Sequence, residues 1–243
     1  MRIVSTDEAA ASAIKICIIG HAGAGKTFLA STIKESVLVV SAESGLLTLK
    51  KFKIPYVDIT VDDKGEAIPE AKRIARLAEV YKWLQTAEPR AAYKWIFIDS
   101  LTEIAQNMVK ALDSDPQYSS EKMALKKWGQ YNTEMKGMIK AYRDLPYYNV
   151  VFTALAEDDK DESTGMIVKR VMMPGKISQQ VPAWFDEVFY LGTSKDAEGN
   201  DVRKLLTSAT ERIPDPKDRS GNLDKFEQPD LAIIINKIRG GQS

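Results

Sequence analysis

Short apolar runs alternate with longer charged stretches along the first two thirds of the chain. "AIKICIIG" (13–20), "SVLVVSAE" (36–43) and "KWIFIDS" (94–100) are apolar at nearly every position. Strands buried on both faces read this way. "IPYVDIT" (54–60) reads as a shorter strand, and "NVVFTAL" (149–155) as another that the polar run "AEDDKDESTG" ends. Between them, "KTFLASTIKE" (26–35) reads as a helix. So does "EAKRIARLAEVYKWLQTA" (70–87), which carries Ile74, Leu77, Val80, Tyr81 and Leu84 at helical spacing. A further helical region covers about 120–144.

The last third has a different rhythm. "MIVKRVMM" (166–173), "DEVFYLGT" (186–193) and "RKLLTSAT" (203–210) read as successive strands joined by tight turns, with "EGN" (198–200) as a hairpin turn. "PDLAIIINKI" (229–238) reads as a closing helix. The pattern predicts an α/β fold with a mostly parallel sheet, helices on both faces and C-terminal antiparallel strands. We expect one domain over 1–243: an N-terminal extension (1–12), a parallel core (13–155), and an antiparallel β extension with a C-terminal helix (156–243).

Bulk composition narrows the function classes. The chain has 243 residues, ample for one buried core. Its 34 basic and 34 acidic residues balance, so a large permanent duplex-DNA surface is not expected. A basic groove assembled from several subunits remains compatible with that balance. The single His21 leaves no His-based metal site or Ser-His-Asp triad, and the single Cys17 allows no internal disulfide. No apolar run is long enough to cross a bilayer, and the N-terminus lacks the pattern of a signal peptide, so a cytoplasmic protein is expected.

"GHAGAGKT" matches G-x-x-x-x-G-K-[ST] in full, with a strand before it and a helix after. The residues Gly20, His21, Ala22, Gly23, Ala24, Gly25, Lys26 and Thr27, with Phe28 behind them, are the expected nucleotide contacts. The glycines let the backbone curl so that successive N–H groups face a polyphosphate. Lys26 would reach the β- and γ-phosphates of ATP, and Thr27 would ligate Mg²⁺. Asp99 emerges at the end of "WIFID", where α/β sheets bind ligands. It suits a second carboxylate for Mg²⁺ and equally a cap for the next helix. Glu43, just past the strand after the P-loop helix, can orient or deprotonate water, or can be a surface residue in a turn. With that strand beside the P-loop strand or one removed, Glu43 shares a sheet edge with Lys26 and Asp99. Near the end, "DPKDRSG" sets Lys217 and Arg219 two residues apart on a segment stiffened by Pro214 and Pro216.

Taken together, the P-loop, "SAESG", "FIDSLTEI", "KKWGQYN", "VVFTALAE", "MMPGKISQQVPAWFDEVFYL" and "PKDR" resemble the RecA-type ATPases. The likeness is greatest to small phage proteins built from a bare RecA core, the single-strand annealing proteins of the Sak group and related phage nucleotide-binding proteins. The resemblance implies that Glu43 is the catalytic Glu and Thr153 the polar sensor. It implies that Lys217 and Arg219 reach across a subunit interface to the γ-phosphate held by a neighbour. A homo-oligomer with ATP at its interfaces follows, acting on single-stranded DNA in recombination or annealing, with a single-strand-binding protein as a further partner.

Two segments would meet DNA by the same resemblance. One is 112–131, with Lys126, Lys127 and Trp128. The other is 156–176, with Lys169, Arg170 and Lys176. Cations beside an aromatic suit a strand-tracking site, and equally a solvated helix face with Trp128 packed inward. The rival readings are a KaiC-like ATPase acting on protein partners and a nucleotide-binding switch without DNA binding.

Overall fold

The structure, a computed structural model, describes residues 13–43, 45–196 and 198–241. The expected N-terminal extension lies outside these residues. Strand β1 (Lys15–Gly20) leads through the phosphate loop into a 3-10 turn (Thr27–Thr32). Strand β2 (Val37–Ser41), a second 3-10 turn (Leu46–Phe52) and strand β3 (Tyr56–Asp58) follow. Then come helices α1 (Glu70–Leu84) and α2 (Ala87–Ala92), strand β4 (Trp95–Asp99), and helices α3 (Leu101–Asp113) and α4 (Ala124–Arg143). The chain continues through β5 (Asn149–Lys160), β6 (Ile167–Val171), β7 (Glu187–Lys195), β8 (Asp201–Leu206), β9 (Phe226–Glu227) and α5 (Leu231–Ile238).

The strands form one sheet in the order β3-β2-β4-β5-β1-β7-β8-β9, with β6 paired to β5. The pairs from β3 across to β7 are parallel; β5–β6, β7–β8 and β8–β9 are antiparallel. The α/β expectation with an antiparallel C-terminal extension therefore holds. One detail differs: β7, read as part of an antiparallel meander, lies parallel to β1. Two strands, β5 and β4, stand between β1 and β2, so the strand before Glu43 is farther from the P-loop strand than expected.

Strand alternation splits the core into two layers. Cys17, Ile19, Leu38, Val40, Ile96, Ile98, Val150 and Phe152 face α1, α3 and α4, meeting Leu77, Ile104, Met108, Met135 and Ile139. Ile16, Ile18, Val37, Val39, Trp95, Phe97 and Val151 face the other way, against Leu29, Ala30, Leu49, Leu231 and Ile234. Both faces are covered, which is why these strands are apolar at successive positions. Among the described residues, no helix is long and apolar enough to cross a membrane.

Three local departures have physical causes. The helix expected at 26–35 is a six-residue 3-10 turn. Ser31 and Thr32 donate their hydroxyls to the carbonyls of Phe28 and Leu29, both at 2.7 Å, and such back-bonding competes with a regular helix. The helix expected at 70–87 ends at Leu84, because Pro89 cannot donate to the carbonyl of Gln85. The acidic run after 155 does not end β5. It continues to Lys160 because Asp158 lies opposite Lys169, with Arg170 beside Asp159, and cross-strand ion pairs stabilise the hairpin.

Candidate active site

The site is built where β2, β4, β5 and β1 end. Registers Ser41↔Asp99 and Ile98↔Phe152 place Ser41, Asp99 and Thr153 in one row. Alternation turns all three toward the face covered by the 3-10 turn after the P-loop. Asp99 is 4% exposed. A carboxylate buried to that extent must be hydrogen-bonded. Thr27 Oγ1 donates to its Oδ2 at 2.6 Å, and Thr153 Oγ1 donates to its Oδ1. The hydroxyl of Ser41, also buried, has no protein partner among the described residues.

The phosphate loop begins where β1 meets β7. A Cβ on Gly20 would stand 2.6 Å from the carbonyl oxygen of Leu191, so only glycine fits there. Gly25 has φ +105°, in the left-handed region that favours glycine. Lys26 is buried, and its ammonium donates to the carbonyls of Gly20 (2.8 Å) and His21 (3.0 Å). Burial lowers its proton affinity, while the charges of Asp99 and Glu43 oppose that. His21, Ala22 and Gly23 are exposed on the rim. Ala24 lies between them and Gly25, and its N–H bonds to the His21 carbonyl at 3.2 Å. Phe28 is partly exposed and meets Phe52 edge-on, with centroids 5.6 Å apart.

Glu43 lies two residues past β2, exposed, and accepts the hydroxyl of Ser100. Ser100 also caps α3 by accepting from the N–H of Glu103 at 3.4 Å. The capping role open to Asp99 thus falls to Ser100, leaving Asp99 to the hydroxyls of Thr27 and Thr153. The expected edge-sharing of Glu43 with Lys26 and Asp99 is observed, even with two strands between β1 and β2. The donor set of Thr27 hydroxyl and Asp99 carboxylate consists of hard oxygens, the chemistry Mg²⁺ selects. No group of three or more His, Cys, Asp or Glu placed to hold a metal ion occurs among the described residues. A divalent ion would therefore rely on these two residues together with phosphate oxygens.

Lys217 and Arg219 are elsewhere. Lys217 exchanges two backbone hydrogen bonds with Val188 at the start of β7, both 2.9 Å. Val188 is level with Cys17, three residues before the end of β1, or roughly 10 Å down the strand. Arg219 lies farther toward the opposite edge, where its guanidinium meets Asp186 at 3.1 Å. It lines a cleft of about 710 Å³ with Lys15, Arg143, Asp144 and Trp184. The pair is half-buried at Lys217 and exposed at Arg219.

Of the two segments expected to meet DNA, 156–176 begins directly after Leu155, the strand partner of Gly20 at the head of the P-loop. Lys127 pairs with Asp113 at 2.6 Å and stands over the Trp128 ring at 5.4 Å. Trp128 is 39% exposed and rests edge-on against the buried Tyr131, and Lys126 is exposed. Within the β5–β6 hairpin, Lys169 pairs with Asp158, and Arg170 is shared among Asp159, Asp161 and Asp215 at 3.3–3.4 Å. Lys176 is exposed at the start of a 3-10 turn.

Sequence reasoning missed two residues. Ser100 holds Glu43, and Arg203 of β8 donates to the carbonyl of Gly23 at 3.3 Å. No local signal marks Arg203, because its proximity to the loop depends on β7 lying beside β1.

A family model described as an AAA domain matches residues 12–220. No curated protein matches. Among solved structures, a prototypical ATPase from the type III secretion system of pathogenic bacteria is similar at 15% identity and a TM-score of 0.48. That match covers 73% of this chain, which spans about half the length of the other. With the complete P-loop signature at the carboxyl ends of a parallel sheet and a family match over most of its length, the chain belongs to the AAA domain family.

Proposed function

We propose that the chain is a RecA-type, Mg²⁺-dependent ATPase that works as an oligomer on single-stranded DNA in phage recombination or annealing, in the host cytoplasm. The observation that carries the catalytic part is the convergence of Lys26, Thr27, Asp99 and Glu43 on one sheet edge. Lys26 stabilises charge on the β- and γ-phosphates. Thr27 and Asp99 would hold Mg²⁺, which neutralises charge on the phosphates when bound. Glu43, steadied by Ser100, orients water and accepts its proton. Thr153 holds Asp99 in place and so links β5 to the phosphate site.

The oligomer is supported by the position of Lys217 and Arg219. Within one chain they lie toward the edge opposite the P-loop, so any contact with a γ-phosphate must be made in another copy. Cations supplied in trans can raise phosphoryl-transfer rates ~10³–10⁵-fold. The DNA role is supported by the resemblance and by Lys126 and Trp128 exposed together on one helix.

A second reading is favoured by the neutralised hairpin. Lys169 and Arg170 are taken up by their own carboxylates, which suits an ATPase directed at protein partners. ATP turnover with and without a single-stranded oligonucleotide, at low and moderate salt, separates the two. Stimulation that fades with salt supports the DNA reading. Turnover indifferent to the oligonucleotide, with no binding, rejects it.

A further inference from the structure

The phosphate loop has a cationic neighbour within its own chain that the ATPase reading does not use. Arg203 stands on β8, opposite Thr193 of β7. Two residues on, Leu205 packs into the core layer on the P-loop side of the sheet, so alternation points Arg203 to that side as well. β8 begins above the level at which β1 ends, which lets the side chain reach inward over the loop. Its Nη2 donates to the carbonyl of Gly23 at 3.3 Å. Its Nη1 is 3.3 Å from where a Cβ on Gly25 would stand. The guanidinium thus lies on Gly23 to Gly25, the part of the loop whose N–H groups face the α- and β-phosphates.

The charge of Arg203 is uncompensated. Arg76, Arg143, Arg170, Arg219 and Arg239 each have a carboxylate partner. Arg203 has no ion pair among the described residues, and its one hydrogen bond there is to a backbone carbonyl, one of the weaker partners for a guanidinium. Phosphate oxygens suit its planar fork far better. We propose that Arg203 is a second cation of the nucleotide site, contributed in cis from β8, that binds the α/β-phosphate oxygens of a nucleotide held by the loop 20–27. The proposal rests on the nucleotide-site reading above and adds the recognition of a diphosphate unit to it. On binding, the guanidinium exchanges the Gly23 carbonyl for phosphate oxygen. β8, which leads into the segment carrying Lys217 and Arg219, is then tied to the loaded loop.

The test is calorimetric binding of ADP and of a non-hydrolysable ATP analogue to the full chain, comparing wild type with Arg203→Lys and Arg203→Gln. Gln keeps an N–H donor for the Gly23 carbonyl but has no charge; Lys keeps the charge. The expected result is a roughly tenfold to hundredfold loss for Gln, equal for both nucleotides, with Lys recovering a large part. Wild-type affinity in Arg203→Gln would show that the side chain only braces the loop and would overturn the proposal. A loss confined to the triphosphate would move the contact to the γ-phosphate and overturn it too. If the wild-type chain binds neither nucleotide, the underlying nucleotide-site reading falls with it, an outcome distinct from the first two.

Discussion

Thr27 and Asp99, 72 residues apart in sequence, share a 2.6 Å hydrogen bond at the carboxyl ends of β1 and β4. β5 separates those strands, so the bond spans the sheet through the loop that follows β1. It joins the two residues that would hold Mg²⁺. Asp99→Asn keeps the size of the side chain and removes the charge. We expect ATP turnover to fall by at least ~100-fold, while nucleotide binding without Mg²⁺ persists. Turnover titrated against Mg²⁺ checks this; an unchanged titration would remove Asp99 from the metal site.

Glu43→Gln should separate binding from chemistry. The amide can still accept the Ser100 hydroxyl but cannot take a proton from water. Turnover should drop by about 10²–10⁴-fold with ATP affinity little changed. Lys26→Ala, in contrast, should abolish tight binding, because the buried ammonium is the charge nearest the loop carbonyls. Equilibrium binding and steady-state turnover, measured side by side, decide both.

Subunit mixing tests Lys217 and Arg219. A Lys26→Ala chain retains the cation pair, and a Lys217→Ala/Arg219→Ala chain retains the P-loop. If the pair acts across an interface, each variant alone is inactive and their mixture regains part of the wild-type turnover. Absence of rescue at every mixing ratio would leave the pair with its observed partners, Val188 and Asp186.

The segment carrying that pair should respond to pH. Glu187 is 2% exposed and accepts from the N–H groups of Arg219 and Ser220, both at 3.3 Å. Burial, then the charge of Asp218, pushes its carboxyl up to about 8. Burial alone would raise Asp218 as well, but hydrogen bonds from Ser220 and Leu223 hold it below its ordinary value. Unfolded, Glu187 ionises near 4.5. Between those values the folded state holds one proton more than the unfolded state, so stability falls as pH rises from about 4.5 to about 8. Glu187→Gln removes this titration. Its Tm relative to wild type should therefore be higher at pH 8 than at pH 5. A difference independent of pH would exclude Glu187 as the titrating group.

For DNA, the exposed Trp128 and Lys126 are the side chains to change. Trp128→Ala should weaken single-strand binding by roughly 1–3 kcal/mol, the usual effect of losing one stacked base. Lys169→Ala should change it little, because that cation is already paired with Asp158. Tryptophan fluorescence quenching on adding oligonucleotide reports directly; equal affinity in Trp128→Ala would take this helix out of the DNA path.

Much of the site could be read along the chain because its signals are local. The loop needs glycine where the backbone turns left-handed at Gly25 or approaches Leu191 at Gly20, and those residues fall within one octapeptide. Asp99 ends an apolar run, so its place at a strand end follows from the run itself. The two-sided burial of β1, β2 and β4 is likewise visible in unbroken hydrophobicity. Local competition could mislead the same reading. Hydroxyl back-bonding shortened the turn after the P-loop, and ion pairs carried β5 through an acidic run that had looked like its end.

What the sequence determined by itself was the alphabet of elements and the candidate phosphate-binding residues, since period and turn chemistry act over a few residues. The tertiary structure alone decided which strands are neighbours. β5 and β4 between β1 and β2, β7 parallel to β1, Arg203 over Gly23 and Lys217 level with Cys17 all depend on lateral strand order. That order is set by how helices and crossovers pack on the two faces of the sheet, a sum of contacts between residues far apart in the chain that no local pattern records.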